Sequence, residues 1–103
     1  MIDLHIHSRF SDGTDSIENI VQKVIEKNLT HFSITDHDMI DGVSQLLEDA
    51  LLMDLLKKFG IKFISGVEFS GYIGDNKIHL LGYNFDVNNK SIQEVVEIGR
   101  ARR

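Results

Sequence analysis

Strand-like segments alternate with stretches of helical periodicity along this chain, and that alternation restricts the fold more than any other feature. Ile2 to His7 switches between apolar and polar at every step, then gives way to a polar loop, Ser8 to Asp15, that holds the turn pair Asp12-Gly13. Ser16 stands as the N-cap of a helix in which Ile17, Ile20, Val21, Val24 and Ile25 share one face, up to Asn28. His31 to Thr35 reads as a second strand. After Asp36-His37-Asp38, one long helical pattern runs from about Asp41 through Leu46, Leu47, Ala50, Leu51, Leu55 and Leu56 to a stop at Gly60. Ile61 to Phe69 is the third strand. Only Ser70 to Lys77 separates it from the next apolar run, Ile78 to Tyr83, too few residues for a parallel crossover, so Gly74-Asp75-Asn76 is expected to turn an antiparallel hairpin. A last helix starts at Ser91, with Ile92, Val95 and Val96 on one face, and stops at Gly99 and the Arg-rich end. The class is α/β: a parallel sheet or part of a βα barrel.

With 103 residues there is material for one domain. The chain has no Cys, so a disulfide framework and thiolate zinc sites are out, and any metal must be held by nitrogen and oxygen. A formal charge of -5 argues against long nucleic acid bound through phosphate neutralisation. Apolar runs such as Ala50 to Met53 are far too short to span a bilayer, and Met1 leads into Ile2-Asp3-Leu4-His5 without the basic and apolar regions of a signal peptide. A cytoplasmic location is the expectation.

In α/β sheets and barrels the chemistry sits at the C-terminal ends of the strands. There the sequence repeats one theme. His5 and His7, two residues apart, point to one face of the first strand while Ile2, Leu4 and Ile6 pack on the other. The second strand ends in Thr35-Asp36-His37-Asp38 and the third in Gly66-Val67-Glu68. A hairpin about Gly74 returns His79 to the rim that carries Glu68. Each element alone has an ordinary reading: polar positions on a half-exposed strand, aspartates capping a helix, a charge at a solvated strand end, a simple turn. His31, at the start of its strand, is assigned no role. Together, four His and several carboxylates on one rim form a costly cluster unless cations hold it.

Asp3-Leu-His-Ile-His-Ser8 with Ser11-Asp12-Gly13, then Ile34-Thr-Asp-His-Asp38, Gly66-Val-Glu-Phe-Ser70 and Ile78-His-Leu-Leu-Gly82, resemble the N-terminal motifs of the PHP (polymerase and histidinol phosphatase) family of metal-dependent phosphoesterases. The resemblance covers residues 2 to about 86. It looks most like the enzymes that hydrolyse nucleoside 3′,5′-bisphosphates and degrade short RNA from the 5′ end. The fold it implies is the N-terminal portion of a distorted, TIM-like βα barrel of about seven strands, with the hairpin after the third.

Carried over by position, the resemblance implies that His5, His7 and Glu68 serve one metal, that Glu68 also bridges to a second metal bound by His79, and that Asp12 and His37 serve a third. Asp36 and Asp38 are then expected to orient imidazoles from behind. The ions would be divalent transition metals, Mn, Zn or Fe, at up to three sites. The family's further His and its closing Asp-x-His motif have no counterpart after His79, so each site is incompletely ligated here. Residues 1–103 are expected to be an incomplete PHP domain. Its parent would hydrolyse phosphate esters of nucleotides or short oligonucleotides, with the fragment weak or inactive alone. The alternatives are a non-catalytic metal-binding or scaffolding module, or a histidinol-phosphate phosphatase. Self-association is expected, because an open half-barrel would leave Phe32, Ile34, Phe63 and Val67 short of cover.

Overall fold

The structure, a computed structural model, describes residues 1–101. In chain order its elements are β1 (Ile2–Ile6), α1 (Ile17–Glu26), β2 (His31–Ile34), α2 (Asp41–Glu48), α3 (Ala50–Lys58), β3 (Lys62–Ile73), β4 (Asn76–Tyr83) and α4 (Lys90–Ala101). The strands form one sheet in the order β1-β2-β3-β4, the first two pairings parallel and the last antiparallel. The sheet is a curled half-barrel of the βα type.

The local signals explain most of these elements. The Ser16 hydroxyl accepts from Asn19 N–H at 3.2 Å, and Asn28, with φ of 56°, ends the α1 region in the left-handed conformation that Asn tolerates. Ile17, Ile20, Val21 and Val24 of α1 are buried with Phe32 and Ile34 of β2, Val43 and Leu46 of α2 and Leu56 of α3. The rings of Phe32 and Phe63 meet at 5.0 Å. A smaller cluster joins Ile40 and Val67 to Val96 of α4.

Four expectations need correction. The long helix is two helices: Asp49 adopts an extended conformation (ψ 95°), and its carboxylate accepts from Leu52 N–H at 3.0 Å, so it caps a new helix instead of continuing the old one. The hairpin is tighter than read, because β3 runs on through Gly71, Tyr72 and Ile73, and Ile73 pairs directly with Asn76. The last helix begins at Lys90 and runs through Gly99 to Ala101, since Gly99 is a packing position and not a stop. Of its expected Arg-rich end, Arg102 and Arg103 lie outside the described residues. Ile2 is 59% exposed, at the outer end of an edge strand, although Ile6 packs on the core as expected.

The supposed bare face is also largely covered. Phe32, Ile34 and Val67 are fully buried and Phe63 half-buried, because helices fold back over them. What stays open is β4, with Leu80 and Leu81 exposed. Tyr83, at the end of β4, sends its hydroxyl across to the other edge strand and donates to the Leu4 carbonyl at 2.6 Å.

Candidate metal centre

The backbone ladder between β2 and β3 continues past the ends of regular pairing, and this sets the site. Glu68 N–H donates to the Asp36 carbonyl and Asp38 N–H to the Glu68 carbonyl, both at 3.0 Å, which holds His37 directly beside Glu68. Across the hairpin Ser70 faces His79, so His79 stands one diagonal step from Glu68 on the same face. β1 brings His5, and His7 follows just past its end.

The result is a file of four imidazoles over two carboxylates. Ring centroids lie 5.1 Å apart for His5 and His7, 4.3 Å for His7 and His37, and 5.4 Å for His37 and His79. Glu68 is the hub: Oε1 meets His5 Nε2 at 2.6 Å and His7 Nε2 at 3.1 Å, while Oε2 meets His79 Nδ1 at 2.5 Å and His37 Nδ1 at 3.1 Å. Asp12 lies on the far side of the two central rings, with Oδ1 2.6 Å from His7 Nδ1 and Oδ2 3.0 Å from His37 Nε2. Three donor sets result, each within mutual ligand distance: His5, His7 and Glu68; His7, Asp12 and His37; His37, Glu68 and His79. His31 belongs to none of these sets and stands at the opposite end of β2.

Imidazole and carboxylate oxygen are the donors that divalent transition ions take. The buried His37 Nδ1, close to Glu68 but without a well-formed hydrogen bond among the described residues, is the nitrogen that keeps the ring proton when Nε2 turns its lone pair to a cation beside Asp12. A neutral imidazole offers a lone pair on one nitrogen only, so His7 and His37 each serve one of their two sets at a time. Assigning His7 to the first set and His37 to the Asp12 set uses every imidazole once.

The carboxylates are poised to accept cations. Burial pushes the Glu68 carboxyl up, but hydrogen bonds from His79, His5 and His7 and the charge of His37 outweigh it and hold the group below the ordinary value. Asp12 is likewise lowered: burial raises it, and the His7 hydrogen bond with the charges of His7 and His37 overcomes that.

Asp36 and Asp38, both about 1% exposed, brace the site through backbone and hydroxyl groups. Asp36 binds the loop after β1: Oδ1 accepts from Ser8 N–H at 2.6 Å and Ser11 Oγ–H at 2.8 Å, and Oδ2 from Ser8 Oγ–H at 2.5 Å. The expectation that it orients an imidazole is replaced by this contact with the loop that carries Asp12. Asp38 accepts from Ser70 N–H at 2.9 Å, beside the helix position of Gly99. Sequence reading passed over Ser8 and Ser11. Their signal was two hydroxyl residues bracketing a turn between a His pair and an Asp. A concavity of about 910 Å³, lined by Leu4, Leu56, Ile64 and Tyr83 among others, lies at the opposite, N-terminal end of the strands and carries none of this chemistry.

The chain resembles several proteins along most of its length. It is 32% identical over 101 residues to a 5′-3′ exoribonuclease of Haemophilus influenzae, covering 98% of this chain and 35% of that protein. It is 32% identical over 85 residues to a 3′,5′-nucleoside bisphosphate phosphatase of Chromobacterium violaceum, covering 82% of this chain and 28% of that one. A solved structure from Bifidobacterium adolescentis, assigned provisionally as a metal-dependent phosphoesterase, superposes with a TM-score of 0.80 at 26% identity, over 99% of this chain and 34% of its own. The chain thus spans about a third of the length of the relatives it matches. The sequence model of the PHP domain matches residues 3–98, nearly everything from the first strand to the last helix, and the chain belongs to the PHP domain family.

Proposed function

We propose that this chain supplies the metal-binding rim of a phosphoesterase that removes phosphate from a nucleotide or short oligonucleotide. The observation that carries the reading is Glu68, ringed by four imidazoles at the C-terminal ends of the strands. His5, His7 and Glu68 would hold one ion, Glu68 and His79 a second, and Asp12 and His37 a third, with Mn, Zn or Fe the metals that suit such donors. When bound, such ions lower the pKa of water and neutralise charge on phosphoryl oxygens.

The chain's own residues set the access. Glu68 and His37, with side chains 6% and 10% exposed, form a buried floor, and Asp12, His5 and His79 at 56%, 53% and 43% form an open mouth. A phosphate can approach the mouth while the floor keeps its oxygens fixed. Relatives that act on nucleoside bisphosphates and on RNA from the 5′ end support a nucleotide or short oligonucleotide as the substrate class, and we place the activity in the cytoplasm, where such compounds turn over.

Because the chain spans about a third of its relatives, we take residues 1–103 as an incomplete PHP domain, weak or inactive by itself, and a non-catalytic metal-binding module is the rival reading. The test is phosphate release from a nucleoside 3′,5′-bisphosphate with Mn²⁺, with and without chelator, by this chain and by the longest natural protein that contains it. Chelator-sensitive release by the longer protein is expected. Metal bound without any release by that protein would favour the module.

A further inference from the structure

The three donor sets do not rest on equal foundations. Glu68 and His79 stand on paired strands, whereas Asp12 stands on the loop between β1 and α1, and a loop holds a ligand only as well as its own contacts hold the loop. Those contacts converge on one buried carboxylate. Asp36 accepts three hydrogen bonds, two from Ser8 and one from the Ser11 hydroxyl. Ser8, itself fully buried, passes the restraint on: its carbonyl accepts from Ser11 N–H at 3.1 Å and Gly13 N–H at 2.9 Å, and its Oγ accepts from Phe10 N–H at 3.2 Å. Asp12 sits between the two restrained residues, Ser11 and Gly13. The other side of the carboxylate is walled in as well. A Cβ on Gly42, in the first turn of α2, would stand 3.0 Å from Asp36 Oδ2 and 3.1 Å from Ser8 Oγ, so a side chain there would crowd the bonds.

Ser11 is the last link. Its hydroxyl donates its single proton to Asp36 at 2.8 Å and lies 3.5 Å from Asp12 Oδ1, between the carboxylate that anchors the loop and the one that faces the imidazoles.

We propose that Asp36, acting through Ser8 and Ser11, is a positioning residue that fixes Asp12 against His7 and His37 and thereby sets cation affinity at the Asp12 set, the Ser11 arm acting on that set alone. The proposal rests on the metal-binding reading above. Its physical basis is preorganisation: a ligand on a loop must lose its freedom on binding, and the clamp removes that freedom beforehand. The pair Glu68 and His79 gains nothing from the clamp, because hydrogen-bonded strands already fix both, and His7 is held beside β2 by the Thr35 N–H on the Ile6 carbonyl at 2.7 Å whether or not Ser11 keeps its hydroxyl.

The experiment titrates the full chain, freed of metal, with Mn²⁺ by equilibrium dialysis with elemental analysis, for wild type, D12N, S11A, S11T and D36N. S11A removes one hydroxyl from a part-exposed position and spares the core. It should weaken by roughly 10-fold or more the same class of Mn²⁺ sites that D12N weakens, and leave the remaining binding unchanged. S11T, which keeps the hydroxyl, should restore that class. D36N should act in the same direction and more strongly; if it fails to fold, S11A and S11T decide the matter. An S11A isotherm identical to wild type, uniform weakening of all sites, or an S11T variant as weak as S11A would overturn the clamp while leaving the metal reading in place. A wild-type chain that takes up no Mn²⁺ would overturn the metal reading and the clamp with it.

Discussion

Glu68 is shared by two of the three donor sets and Asp12 belongs to one, so replacing them should cost unequal amounts of metal-linked stability. At Mn²⁺ one hundred times above the dissociation constant, a filled site stabilises the folded chain by about 2.7 kcal/mol. A tenfold loss of affinity at the same concentration leaves about 1.4 kcal/mol, so each impaired site forfeits about 1.3 kcal/mol. Glu68→Gln impairs two sites and forfeits about 2.6 kcal/mol, while Asp12→Asn forfeits half as much. In a domain of this size each kcal/mol moves the midpoint by about 4–8 °C. The Mn²⁺-induced rise in Tm should therefore shrink by about 10–20 °C in E68Q and by about 5–10 °C in D12N. Thermal unfolding followed by circular dichroism, with and without Mn²⁺ in each variant, isolates the metal contribution, because the lost carboxylate–imidazole bonds cancel within each pair. H31A should keep the wild-type increment. Equal losses in E68Q and D12N, or a full wild-type increment in E68Q, would refute the shared-hub geometry.

The depressed Glu68 carboxyl also gives the metal-free protein an acid limit. Its stabilising contribution is complete above the ordinary glutamate value of 4.5 and is lost as pH falls through the lower folded value, so urea midpoints should drop steeply there in wild type and less in E68Q. Asp12 adds less to this slope, since its side chain is 56% exposed and solvent screens it. At Gly99 a Cβ would stand 2.1 Å from Asp38 Oδ1, so Gly99→Ala must shift either α4 or the Asp38 carboxylate that accepts from Ser70 N–H, and should cost about 1–3 kcal/mol in urea unfolding. Self-association is expected through the open β4 edge, where Leu80 and Leu81 are exposed; light scattering after size exclusion that shows only 11.7 kDa at high concentration would refute it.

The elements that the sequence made legible are those marked by residues with a single structural use. Ser16 and Asn28 bracket α1 because one caps and the other turns left-handed, and Gly74, at φ of 61°, turns the hairpin. The convergence of His5, His7, Glu68 and His79 on one rim was legible because their spacing follows strand geometry, whereas Asp12 read by itself as a turn residue and entered the ligand set only through the resemblance. The break at Asp49 was hidden. No Gly or Pro marks it, and the apolar periodicity resumes at Ala50 in a phase that a single long helix also satisfies, although Leu51 is 84% exposed and Leu56 buried. Asp36 was misjudged for a different reason: it is adjacent to a ligand in sequence, but its carboxylate turns away into the β1–α1 loop, and only the packed fold reveals its three donors. Gly99 looked like a stop because a helix-ending Gly and a helix-packing Gly have the same letter.

The Tyr83 hydroxyl on the Leu4 carbonyl joins positions 79 residues apart, the longest tie in the fold among the hydrogen bonds described. Its effective distance is much shorter. β1 meets β2, and β2 meets β3, after loops of about 30 residues each, and the hairpin then needs only a tight turn, so both edges are already in place when the tyrosine arrives. The bond therefore carries almost none of the chain-closure entropy that its sequence separation implies. An interaction made after the topology is set acts on escape from the native state and not on the search for it. Loss of this hydroxyl should quicken unfolding and leave the folding rate nearly untouched, which makes Tyr83 a latch on the lifetime of the curled sheet.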